Sequence, residues 1–164
     1  MRKTLATAAT LGLATLGMLV PAGAAQADAS AAAPAARTCS DNYGDATIGY
    51  MYAYWNDQCE GYLGRSSGVD SDWGNSTGGF QGDDENRATS LLNKGSSGLA
   101  VAFYRLTGYS GGHICLTQQE KYASTLVDGG DDYGFDRFST GYVADNRISS
   151  HRWMDKDDCS KFMR

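Results

Sequence analysis

A short element occurs twice in this chain and constrains its fold more than any other feature. Glu85-Asn86-Arg87-Ala88-Thr89-Ser90 aligns with Asp145-Asn146-Arg147-Ile148-Ser149-Ser150, each reading acid-Asn-Arg-x-hydroxyl-Ser. Upstream of the second copy stand Tyr104, Tyr109 and Gly111; upstream of the first, in the same frame, stand Tyr54, Cys59 and Gly61. Two elements repeated in order imply two copies of one supersecondary unit sharing a core, since so small a unit cannot bury its apolar face alone. The glycine closing each frame suits a backbone of positive φ, where a folded-over hairpin turns beneath an aromatic ring.

The rest of the pattern says that these units are built from strands. Gly supplies 21 of 164 residues, close to twice the roughly 7% of ordinary proteins, which favours many tight turns and argues against a helical bundle. Residues 47–55 read as a strand with Ile48, Tyr50, Tyr52 and Tyr54 on one face. Residues 99–106 alternate Leu99, Val101 and Phe103 against Ala100, Ala102 and Tyr104, and residues 113–117 and 147–154 look like further strands. Residues 64–84, with isolated Trp73 and Phe80, and residues 129–134 read as loops. The helical signal is confined to a short turn over residues 118–124.

The first 27 residues read as a secretory signal peptide. Met1, Arg2 and Lys3 make a basic start, residues 4–20 an apolar run, and Pro21 breaks it before the small-x-small pattern Ala25-Gln26-Ala27. The run falls short of the roughly 18–20 residues of a membrane span, and no stop-transfer charges follow. Residues 28–37, Ala-rich with Pro34, are expected to be a disordered leader, and residues 38–164 the domain. Cleavage removes Arg2 and Lys3 but no acidic residue, so the net charge becomes more negative than −5. That balance argues against nucleic acid as a partner and against electrostatic adhesion to anionic lipid.

Cys39, Cys59, Cys115 and Cys159 all follow the cleavage site, and an even count in an exported chain reads as two disulfides. Of three connectivities, Cys39–Cys59 with Cys115–Cys159 keeps each bridge within one half of the chain. The second bridge closes a loop of about 45 residues, worth about 4 kcal/mol in the chain-entropy treatment. A zinc site would need close ligand pairs such as C-x-x-C, and none is present.

The paired Y-x4-[YF]-x-G and [ND][ND]-x-x-[ST]-S elements resemble the two Greek keys of a βγ-crystallin domain over roughly residues 38–162. The second copy matches both elements; the first carries Cys59 in place of the aromatic and Glu85 in place of Asp or Asn. A two-disulfide domain of this kind behind an Ala-rich signal is similar to the small exported proteins related to the Streptomyces metalloproteinase inhibitor, which often end in a bridging Cys as Cys159 does. The resemblance implies an all-β fold, two Greek-key motifs forming a β-sandwich with pseudo-twofold symmetry. It also implies calcium sites built from the side chains of Glu85, Thr89, Asp145 and Ser149 and the carbonyls of Arg87 and Arg147, chemistry suited to hard oxygen ligands. A structural alternative has the Asn and Ser residues only capping a tight hairpin through the backbone.

Neither H-E-x-x-H nor a Gly-rich phosphate loop occurs in the sequence. His113 reads as a surface or hairpin residue and His151 as part of a repeat loop. The acidic run Asp128, Asp131, Asp132 and Asp136 departs from the EF-hand frame and reads as a solvated loop. Ten Tyr with Trp55, Trp73 and Trp153 could stack on glycans, but most sit at strand spacing and are expected in the core. The function implied by the resemblance is therefore a secreted peptidase inhibitor, without catalysis or required cofactor, that binds an extracellular metalloprotease stoichiometrically as a monomer. The runner-up is a calcium-binding, non-catalytic module. Residues 64–84 and the segment beside Cys115 are the candidate inhibitory loops, and no reactive-site motif singles out either.

Overall fold

The structure, a computed structural model, describes residues 35–127 and 136–163. The signal peptide, most of the leader, and Asp128, Asp131 and Asp132 lie outside the described residues. Among the described residues seven strands run β1 Tyr50–Tyr54, β2 Tyr62–Ser66, β3 Ser90–Lys94, β4 Ala100–Leu106, β5 Ser110–Leu116, β6 Tyr122–Ala123 and β7 Ser150–Met154. They form two antiparallel sheets, ordered β2-β1-β3-β6 and β5-β4-β7. Among the described residues no helix is long and apolar enough to cross a membrane.

The strand order reveals an exchange between the two repeats. In each copy two strands form a hairpin and the strand after the repeated hexapeptide returns beside the first, giving β2-β1-β3 and β5-β4-β7. The remaining strand of each copy joins the other sheet. β6, from the second copy, pairs with β3, and Asp70, from the first, bridges His151 of β7. The Asp70 and His151 backbones exchange both hydrogen bonds, at 3.0 and 2.8 Å. The chain is thus an all-β, crystallin-like sandwich of two interlocked Greek keys. Even the irregularities are mirrored, with a register shift at Ala53/Tyr54 in one hairpin and at Tyr104/Leu106 in the other.

Strand alternation decides what each face buries. Met51, Ala53 and Leu91 of one sheet meet Val101, Phe103, Ile114 and Leu116 of the other in the central core. The opposite faces carry smaller clusters, Tyr52, Tyr54 and Leu92 on one and Ala100, Ala102 and Tyr104 on the other. A terminal segment is stapled onto each. Cys39–Cys59 holds helix α1, Cys39–Asp45, near the first; Cys115–Cys159 holds the C-terminal segment beside the second. Both bridges have the expected pairing. The C-terminal segment also covers the outer edge of β5, since Cys115 N–H donates to Lys161 O and Met163 N–H donates to Cys115 O.

Several expectations need correction. β2, β3 and β6 had no strand expectation, and α1 had no helical one. α1 is a poor helix former by composition, but Thr38 and Asp41 make a reciprocal capping box at its start. Ile48 precedes β1 and is exposed, rather than sharing the face of Tyr52 and Tyr54. Residues 64–84 are only partly loop: they begin in β2, cross to the other sheet at Asp70, and bury Trp73 and Phe80 completely. His151 lies on β7 with no exposure at all, not in a loop. The leader's last residue, Arg37, is paired with Asp45 and Asn42 on the exposed side of α1.

Candidate functional site: the crossed repeats and the clamped loop

The two hexapeptides meet across the pseudo-twofold axis. Asn86 N–H donates to Ile148 O at 2.9 Å, and Asn146 N–H donates to Ala88 O at 3.0 Å. Both asparagines sit in the left-handed region, at φ 59° and 52°, a conformation that Asn tolerates better than most residues. The hydroxyl residues then tie each hexapeptide to its own hairpin. Thr89 N–H donates to Tyr54 O at 2.8 Å and Ser149 N–H to Tyr104 O at 3.0 Å. Ser90 Oγ donates to Asn56 O and accepts from Cys59 N–H, while Ser150 Oγ donates to Leu106 O and accepts from Tyr109 N–H. The final Ser of each repeat therefore has a structural duty, pinning the fold of a hairpin whose Cys59 and Tyr109 both take φ 58°. Cys59 fills the backbone role of an aromatic residue while also carrying a disulfide.

The six proposed calcium ligands are not equally assembled. Thr89 Oγ1 donates to Asp145 Oδ1 at 2.7 Å, so one mirrored pair has its carboxylate and hydroxyl together. In the other, Ser149 Oγ lies 3.1 Å from Arg105 O and 3.3 Å from Asn86 Oδ1. Glu85 instead turns its Oε2 toward Gly74, to within 2.7 Å of where a Cβ would stand. Arg87 lays its guanidinium over the Trp55 ring at 4.7 Å, and Arg147 is exposed. The donor set is hard oxygen, which fits calcium in kind. Among the described residues, however, no three His, Cys, Asp or Glu side chains converge. An ion beside Asp145 would rest on one carboxylate, a hydroxyl and carbonyl oxygens.

The more completely built feature lies next to it. Trp73 and Phe80 stack face to face, 3.9 Å between centroids and 12° between planes, both fully buried. Trp73 Nε1–H donates to His151 Nδ1 at 2.9 Å, and Trp73 N–H donates to Ser149 O. Accepting at Nδ1 leaves the neutral ring's proton on Nε2, 3.2 Å from Gly68 O. Burial pushes the His151 pKa down to about 4. Burial also raises the carboxyl of Asp70, against the amides of Asp72, Phe80 and Gly79, which pull it back. Between the stacked rings the chain loops out, exposing residues 76–79. Asn75 braces this tip: its Oδ1 accepts from Thr77 N–H at 2.6 Å and its carbonyl from Gly82 N–H at 2.9 Å.

His113 is half-buried on β5, and burial followed by Arg152 lowers its pKa. Its Nε2 accepts from Ser160 N–H at 3.1 Å, so it ties down the C-terminal segment. The clamp was hidden from sequence reading because Trp73, Phe80 and His151 show no common period. The spacing of two lone aromatic residues inside a Gly-rich loop was the available signal.

No protein-family profile matches the chain, and no curated protein matches it. Among solved structures, one described as "Evolution of the eye lens beta-gamma-crystallin domain fold" is similar at 14% identity, covering 67% of this chain and 89% of that one with a TM-score of 0.46.

Proposed function

We propose that the chain is an exported peptidase inhibitor of an extracellular metalloprotease, acting by stoichiometric occlusion with residues 74–79 as the segment it presents. The Trp73–Phe80 stack carries this reading. It fixes both ends of an exposed tip in the core, and a tip ordered before binding loses little entropy on entering a cleft. The other candidate, the strand beside Cys115, has its outer edge taken by residues 161–163 and offers less to a partner. The signal-like start and two disulfides favour export, and the metalloprotease class rests on the sequence resemblance. Titrating purified protein against a thermolysin-like metalloprotease should bring activity to a plateau near one equivalent, with the inhibitor intact on a gel. A subtilisin-like serine protease, assayed in parallel, should keep its activity. Full metalloprotease activity at large excess would remove the reading.

A second reading, a calcium-binding module, is favoured by the Thr89–Asp145 pair across the two repeats. Calcium bound there would join the two motifs and raise the melting temperature with free Ca²⁺. The double variant Asp145→Ala, Ser149→Ala should abolish that rise, and an unchanged rise places the ion elsewhere.

A further inference from the structure

A cavity of about 270 Å³ opens where three turns of the two motifs meet. Its floor is the half-buried indole of Trp153, on β7. Its walls come from the turn before β1 at Gly49, the turn after β2 at Ser67, and the β3–β4 turn with Ser96, Ser97 and Leu99. The β3–β4 turn is set by a buried side chain. Asn93 Oδ1 accepts from Gly95 N–H at 2.9 Å, while its Nδ2 donates to Leu116 O. Gly95 lets the turn lie on the indole, since a Cβ there would fall 2.7 Å from Trp153 Cζ3. Among the described residues, the Trp153 Nε1–H is buried and meets no acceptor.

The chemistry of the lining selects a ligand class. Among the described residues no ionisable side chain lines the cavity, so neither an anion nor a cation finds a counter-charge from them. What it offers is an aromatic face, three serine hydroxyls and close backbone approach at glycines. That combination complements a neutral ring bearing C–H groups on its faces and hydroxyls around its edge. The volume lies just below the roughly 300–1,000 Å³ of small-molecule sites, so the occupant is one ring rather than an extended chain. We infer that this cavity binds a single pyranose unit, free or as the end of a glycan. The inference is independent of the inhibitor reading, because no residue of the 74–79 tip lines it.

Isotope-labelled protein titrated with glucose, galactose and N-acetylglucosamine, with glycerol as control, tests this by amide and indole chemical shifts. At least one sugar should shift the Trp153 indole N–H and the amides of Gly49, Ser96 and Ser97 saturably in the millimolar range. Ser97→Tyr, at an exposed position that can close the mouth without touching the core, should weaken that binding by about tenfold or more. Trp153→Phe serves as a second variant, with folding checked from its other amide signals, and should weaken binding similarly. Unmoved signals up to the solubility of all three sugars would overturn the assignment. So would equal shifts with glycerol, or undiminished affinity in Ser97→Tyr.

Discussion

Gly61 shows how a single residue can carry a structural requirement. Its φ is +66°, and a Cβ built there would fall 1.2 Å from Nε1 of Trp55, whose ring lies across it. Gly111 holds the equivalent place at φ +77°, but beneath Leu106 rather than an aromatic ring. Gly61→Ala must therefore either displace Trp55 or open the hairpin, and should cost about 2–4 kcal/mol in denaturant melts. A loss under 0.5 kcal/mol would mean the hairpin adapts freely. His151 makes a second prediction, in pH. Its folded pKa is about 4, below the ordinary 6.5, so between these values the unfolded chain takes up a proton that the fold refuses. Stability should be full above about pH 6.5 and fall by about 3 kcal/mol as pH drops toward 4. Asp70 acts with the opposite sign: its raised pKa weakens the fold while it is charged and relieves it as it protonates at lower pH. His151→Gln should flatten the slope between pH 6.5 and 4, and a wild-type slope in that variant would place the titrating group elsewhere.

At the scale of elements, the terminal segments depend on the disulfides and the clamped loop on its rings. Cys39–Cys59 spans 20 residues and Cys115–Cys159 spans 44, so removing them should cost about 3 and about 4 kcal/mol, respectively. The first loss should fray α1 and the second the 161–163 cover of β5, readable by hydrogen exchange at Asn42 and at Cys115. Exchange that stays slow at both amides would show that packing alone holds these segments. Phe80→Leu keeps an apolar side chain but loses the stack, at a cost of about 1–2 kcal/mol. It should speed proteolytic nicking within residues 74–79 and weaken inhibition in parallel; unchanged nicking would mean the tip is held by its Asn75 bonds alone. These elements differ in how legible they were. β1 and β4 are legible in alternation, and β7 falls within the strand-like residues 147–154. β3 follows the first hexapeptide as β7 follows the second, and that equivalence was the available signal for it. α1 escaped because its seven residues carry little helical propensity and depend on a cap and a bridge.

For the whole molecule, the decisive property is the exchange of one strand between motifs. Neither half can complete its own sheet: β3 takes β6 from the second copy, and β7 takes Asp70 from the first. The asparagine crossing at Asn86 and Asn146 ties the halves again near the axis. Residues 38–98 expressed alone should therefore stay unfolded, with poorly dispersed amide shifts. A well-dispersed spectrum from that fragment would show that the motifs are autonomous.

Much about this protein was determined by its sequence alone, because the causes are local or periodic. Period-two alternation placed the central strands, the doubled hexapeptide announced two units, cysteine parity gave two bridges, and Gly61 and Gly111 marked the folded hairpins. Only the tertiary structure decided that Trp73 meets His151 across 78 residues, that Asp70 crosses to the other sheet, and that Trp153 floors a cavity. Each of those facts joins residues from distant stretches, and packing between such stretches leaves no periodic trace along the chain. The same reason separates the proposed ligands, since Thr89 finds Asp145 while Glu85 turns away from Ser149 toward the neighbouring loop.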